Sequence, residues 1–66
     1  MERNDFFKAC QNYARGLPAV VKYQGISYYP IAYQLAYKPD GTIRHTAVLQ
    51  DVKSRTIVHC RLSEVL

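Results

Sequence analysis

The chain has 66 residues, a net charge of +4 and an apolar share of 48%. This length fits one small domain over residues 1–66, which hides only about 60% of the surface that its unfolded chain exposes. The charged share of 21% is too low for a disordered chain, and no apolar run approaches the ~20 residues of a membrane helix. The first residues are acidic and polar, unlike a secretory signal. We therefore expect a folded, cytoplasmic protein that has no membrane partner.

An amphipathic helix is predicted near the N-terminus, over about residues 4–15. Apolar side chains recur there at steps of four, three and four, which places them on one helical stripe. The stripe consists of Phe6, Cys10, Tyr13 and Leu17. Asn4 or Asp5 can cap the start of the helix, and Gly16 followed by Pro18 two residues later is a stop signal.

Beyond the helix the apolar period changes to two, which indicates β-strands. Four strands are expected, at about residues 19–23, 26–37, 42–50 and 55–62. Turn-forming residues separate them, with Gly25, Pro39-Asp40-Gly41 and Asp51-Val52-Lys53-Ser54 at the three connections. Because the connections are short, the strands should pair as an antiparallel meander, and the last five residues can form a short helical turn.

The second predicted strand carries four of the six tyrosines and is interrupted by Pro30. Proline offers no hydrogen-bond donor to a neighbouring strand, so it belongs at an edge, a bulge or a bend. Strict alternation places Tyr29, Tyr33 and Tyr37 on one face, with Ile31 and Leu35, as core or rim residues. The same alternation leaves Tyr28 on the opposite, exposed face.

These elements predict an α+β fold in which the N-terminal amphipathic helix packs on a four-stranded antiparallel meander. The apolar face of the sheet must be buried. The helix, strong bending of the sheet, or its curling into a small SH3-like barrel can bury this face. Residues 19–62 resemble in architecture the SH3-like barrels of Tudor, KOW and bacterial RNA-binding modules. The resemblance implies a fold and no particular site residues.

Catalytic and metal-binding patterns are missing. Cys10, His45, His59 and Cys60 are potential zinc ligands, but no close-spaced ligand pair occurs, and the adjacent His59 and Cys60 point to opposite faces of a strand. Both thiols lie on apolar faces, where burial raises a thiol pKa. The three glycines lie in separate turns and cannot form a phosphate loop. We therefore predict a non-enzymatic protein with no metal and no cofactor.

A surface rich in arginine is the main candidate binding site. If Ile43, Ala47 and Leu49 face the core, the outward side chains of the last two strands form a basic set. That set consists of Arg44, Arg55, His59 and Arg61. Guanidinium groups bind phosphate through a planar fork of donors, and an exposed Tyr28 offers a stacking surface for a base.

Two apolar residues, Val48 and Ile57, are predicted on the same outward face. Exposed apolar area among charges is typical of protein interfaces, so it favours a protein partner or a homodimer. The sequence therefore predicts a small binding module that acts through its Arg-rich outer face as a protein-interaction or accessory domain. The alternative is an SH3-like domain that binds RNA or single-stranded DNA.

Overall fold

The computed structural model describes residues 1–66, which form one helix and one four-stranded antiparallel sheet. The elements are α1 (Arg3–Ala14), β1 (Val21–Tyr23), β2 (Ile26–Tyr37), β3 (Ile43–Asp51), β4 (Ile57–Arg61) and a 3₁₀ turn (Leu62–Glu64). The strands pair in the order β1-β2-β3-β4, and the meander curls into a half-barrel against which α1 packs. The predicted α+β fold class is confirmed.

The two ends of α1 are held differently. Glu2 is the N-cap residue and makes no side-chain capping bond, so the prediction of a cap at Asn4 or Asp5 is wrong. Asp5 instead lies in the first turn, where a carboxylate interacts favourably with the helix dipole. At the other end Gly16 has φ +77° and the amide of Leu17 donates to the Asn12 carbonyl at 2.9 Å. This Schellman closure confirms the predicted glycine stop.

A β-bulge divides β2 into two segments. The register between β2 and β3 pairs Pro30 with Leu49 and then Ala32 with Val48, which leaves Ile31 as an extra residue. Because side chains alternate between faces, one extra residue inverts which positions of the strand point inward. The bulge or bend predicted at Pro30 is confirmed, whereas the prediction that Tyr28 is exposed is wrong: Tyr28 is only 6% exposed.

The core draws on nearly every element of the chain. Eight buried residues form one cluster, which consists of Phe6, Val21, Tyr28, Ala47, Leu49, Cys60, Leu62 and Val65. Ala47 and Leu49 face the core as predicted, but Ile43 and Leu17 are exposed. Ile43 pairs with Tyr37 at the tip of the β2–β3 hairpin, and Leu17 follows the end of α1. Both positions therefore lie beyond the buried cluster.

The segment that follows β4 returns to the first strand. The amide of Leu66 donates to the Lys22 carbonyl at 2.8 Å, and the amide of Lys22 donates to the Leu66 carbonyl at 3.2 Å. The Met1 nitrogen donates to the Val65 carbonyl at 2.5 Å. These bonds hold the segment after the 3₁₀ turn against β1 and continue the curl of the sheet.

Two tyrosines of β2 test the position of the bulge. We expect Tyr28→Ala to reduce the free energy of unfolding by about 3–5 kcal/mol, because it removes a buried aromatic ring and leaves a cavity. Tyr37→Ala should change it by less than about 0.5 kcal/mol, because this ring is exposed. Urea unfolding followed by circular dichroism measures both. Similar losses for the two variants would contradict the observed register.

Candidate functional site

The outward face of β3 and β4 carries three of the four predicted basic residues. Arg44 pairs with Ala36, Arg61 pairs with Thr46 and His59 pairs with Val48, so all three share one sheet face. Arg55 is separate from them, since it lies in the turn between β3 and β4 with φ 65°. The predicted set is therefore divided between two ends of the sheet.

Arg44 and Arg61 meet other cations at one end of the molecule. A cleft of about 450 Å³ lies where the tip of the β2–β3 hairpin, the end of β4 and the start of α1 converge. Four exposed Lys and Arg side chains line it, and no acidic residue does. We call this group the basic cleft, and its cations are Arg3, Lys38, Arg44 and Arg61.

Sequence reasoning missed two of these four cations. Lys38 lies at the β2–β3 turn, where local hairpin pairing brings it near Arg44, whereas Arg3 belongs to the helix and nothing in its spacing relates it to the sheet. Only the packing of α1 against the curled sheet brings Arg3 to the other three cations. A concentration of like charge with no carboxylate in the lining produces a positive potential, which attracts anions and is screened by salt.

Tyr37 lies beside the basic cleft. It pairs with Ile43 and precedes Lys38, and both of these neighbours line the cleft. Its side chain is 75% exposed, so the prediction that Tyr37 is a core or rim residue is wrong. Tyr28, the predicted stacking residue, is buried and cannot serve this purpose. Tyr37, and not Tyr28, is therefore the exposed tyrosine of β2 beside the basic cleft.

The two apolar residues predicted on the outer face have different environments. Val48 is only 6% exposed, so its predicted exposure is wrong. It lies on an internal strand, flanked by Ala32 of β2 and His59 of β4. Ile57 is 47% exposed as predicted, at the start of the edge strand β4. The outer face therefore presents less apolar area than the sequence suggests.

A small polar pair lies at the back of the basic cleft. A hydrogen bond joins the Tyr33 hydroxyl to Nδ1 of His45, and the ring of Phe7 packs edge-on against Tyr33 with centroids 4.8 Å apart. His45 also lines the cleft and is partly buried. This contact links α1, β2 and β3 next to the cations.

The two thiols lack the environment of a nucleophile. Burial raises the pKa of the Cys10 thiol, and it raises the pKa of the Cys60 thiol together with the Glu64 carboxylate. A raised pKa keeps a thiol protonated at neutral pH, and the thiolate is the reactive form.

No group of three or more His, Cys, Asp or Glu side chains is placed to hold a metal ion. No helix is long and apolar enough to cross a membrane.

Comparison with known proteins finds no matching family model, no similar curated protein and no similar solved structure. The function is therefore inferred from the geometry and chemistry of the chain itself.

Alkylation of the thiols tests whether either cysteine is activated. We expect both to react with iodoacetamide at pH 8 more slowly than free cysteine, because their raised pKa values lower the thiolate fraction. Cys10 should react before Cys60, since it is half-buried and Cys60 is buried. Mass spectrometry of timed samples gives both rates. A thiol that reacts faster than free cysteine would contradict the non-enzymatic prediction.

Proposed function

We propose that this protein is a small non-enzymatic binding module whose basic cleft binds single-stranded nucleic acid. The observation that carries the proposal is the convergence of four Lys and Arg side chains in a cleft without a carboxylate. Three of them are arginines, whose planar guanidinium groups donate two parallel hydrogen bonds to a phosphate. All four are exposed, so they can reach a ligand without first losing an internal partner.

Tyr37 supports a nucleic acid over other polyanions. Proteins that bind single strands combine a positive groove along the backbone with aromatic rings on which bases stack. Here the exposed ring of Tyr37 stands next to Lys38 and opposite Ile43, at the margin of the basic cleft. A base stacked on this ring would place its own phosphates near the cations.

A protein partner is the second candidate function. The exposed side chain of Ile57 favours it, because it adds apolar area to a face that also carries His59 and Arg61. The burial of Val48 removes half of the apolar pair on which the homodimer hypothesis depended. An acidic protein could still use the basic cleft, and such a partner would not require stacking on Tyr37.

Salt dependence tests the nucleic-acid proposal. With four phosphate contacts, the logarithmic slope of affinity for oligouridine against salt should be about −3, which is a roughly 50-fold loss between about 50 and 200 mM salt. The double variant Arg44→Glu, Arg61→Glu should halve this slope and weaken binding strongly. Fluorescence anisotropy with a labelled oligouridine measures both effects.

The matched control for this experiment is the double variant Lys8→Glu, Lys53→Glu. It makes the same change in net charge at exposed positions outside the basic cleft. It should keep most of the slope, because these lysines contact no phosphate in the proposed complex. Equal losses of affinity in both double variants would show that net charge alone, and not the basic cleft, accounts for binding. Polyglutamate that binds as tightly as oligouridine would overturn the nucleic-acid proposal in favour of an acidic protein partner.

Substitution of Tyr37 separates stacking from charge. Tyr37→Leu should weaken oligouridine binding by about 1–3 kcal/mol, the range measured for loss of one base–aromatic contact. Polyglutamate binding should not change, because the charge of the cleft is unaltered. Anisotropy titrations with both polymers at one salt concentration give the comparison. An unchanged oligouridine affinity would exclude Tyr37 as a stacking residue.

A further inference from the structure

A second groove lies away from the basic cleft, between the end of α1 and the β3–β4 turn. Its volume is about 360 Å³, and five of its eight lining residues are hydrophobic. The side chains that matter for binding are Tyr13, Leu17, Pro18, Val20, Tyr29 and Arg55. None of them lines the basic cleft.

Two tyrosines form one wall of this groove. The rings of Tyr13 and Tyr29 lie 5.1 Å apart between centroids and are inclined by 30°, an arrangement that stabilises both rings. Both are only partly buried, and the nearby side chains of Leu17 and Val20 are 51% and 55% exposed. The apolar side chains of the groove are therefore already in place and open to solvent.

Arg55 is fixed at the side of the groove by its turn. Its amide donates to the Asp51 carbonyl at 3.0 Å, and its own carbonyl accepts from Nε2 of Gln50 at 3.2 Å. The Asp51 carboxylate accepts the amides of Lys53 and Ser54 at 2.7 and 3.0 Å, which closes the same turn. The guanidinium carbon of Arg55 lies 5.9 Å from the centroid of the Tyr29 ring.

This cation is the one charged side chain in the lining of the groove. A guanidinium above an aromatic ring is attracted to the face of the ring. The N–H groups at the edge of the guanidinium remain free to donate hydrogen bonds. The planar fork of donors matches a carboxylate. The adjacent apolar wall matches a branched aliphatic side chain, and a ligand with both groups would satisfy both features.

We propose that this groove binds a peptide segment in which a leucine-like side chain lies beside a carboxylate. The aliphatic side chain occupies the surface formed by Tyr13, Leu17 and Val20, and the carboxylate pairs with Arg55. The carboxylate is the free C-terminal carboxylate of the peptide, so the ligand ends in a leucine-like residue. This inference does not depend on the proposed nucleic-acid function, because the two sites share no residue.

N-acetyl-leucine and its amide form a matched pair of probes for the groove. The acid carries both recognised groups, and the amide lacks only the negative charge. We expect the acid to shift the backbone amide resonances of Leu17, Val20 and Arg55 in ¹⁵N spectra, with a dissociation constant of about 1–20 mM. The amide should bind at least about threefold more weakly.

Arg55→Gln is the variant that tests the carboxylate contact. Glutamine keeps a non-glycine backbone in the turn but cannot carry the charge, so the acid should lose its advantage over the amide. Lys53→Gln removes a charge from the same turn outside the groove and should leave the advantage intact. Comparison of the variants' spectra without probe shows whether the fold is preserved.

Three results would overturn the proposal. They are no shift at the groove up to about 20 mM acid, equal shifts with acid and amide, and shifts confined to the basic cleft. The Arg44→Glu, Arg61→Glu variant should bind the acid normally at the groove. A failure at one site is thereby distinguished from a failure at the other.

Discussion

The extra residue at Ile31 controls the arrangement of the whole sheet. β2 is the longest strand and pairs with both β1 and β3, so a shift within it affects three strands. Before the bulge Tyr28 points into the core, and after it Tyr33 points toward α1 and His45. The bulge also increases local twist, which suits a meander that must curl around a single short helix. The core and the back of the basic cleft both follow from this irregularity.

Much of the secondary structure was predictable from local patterns. The helical stripe, the glycine stop and the period-two segments each depend on neighbouring residues, and the predicted elements match the observed ones to within about two residues at most ends. The faces of β2 were not predictable, because Pro30 indicates an irregularity without showing which residue is extra. The basic cleft was only partly predictable: Arg44 and Arg61 follow from strand alternation and Lys38 lies at the predicted hairpin turn, whereas Arg3 arrives only through tertiary packing.

The two candidate sites are different kinds of surface on a very small scaffold. The basic cleft is a group of four exposed cations, so long-range attraction should dominate there and salt should weaken it. The groove combines exposed apolar side chains with one cation at its side, so contact area and a single charge pair should dominate there. Mutual repulsion among the four cations of the cleft opposes the compact state. Salt should therefore stabilise the fold while it weakens an anionic ligand at the cleft.

The left-handed backbone of Arg55 affects the stability of the fold. Glycine adopts φ 65° without steric strain. The same angle is strained for arginine, so it lowers the free energy of unfolding of the domain. A chain optimised only for stability would place glycine there and lose nothing from its hydrophobic core, since Arg55 is exposed. At this position, therefore, maximal stability favours glycine, whereas the charge at the side of the groove requires arginine.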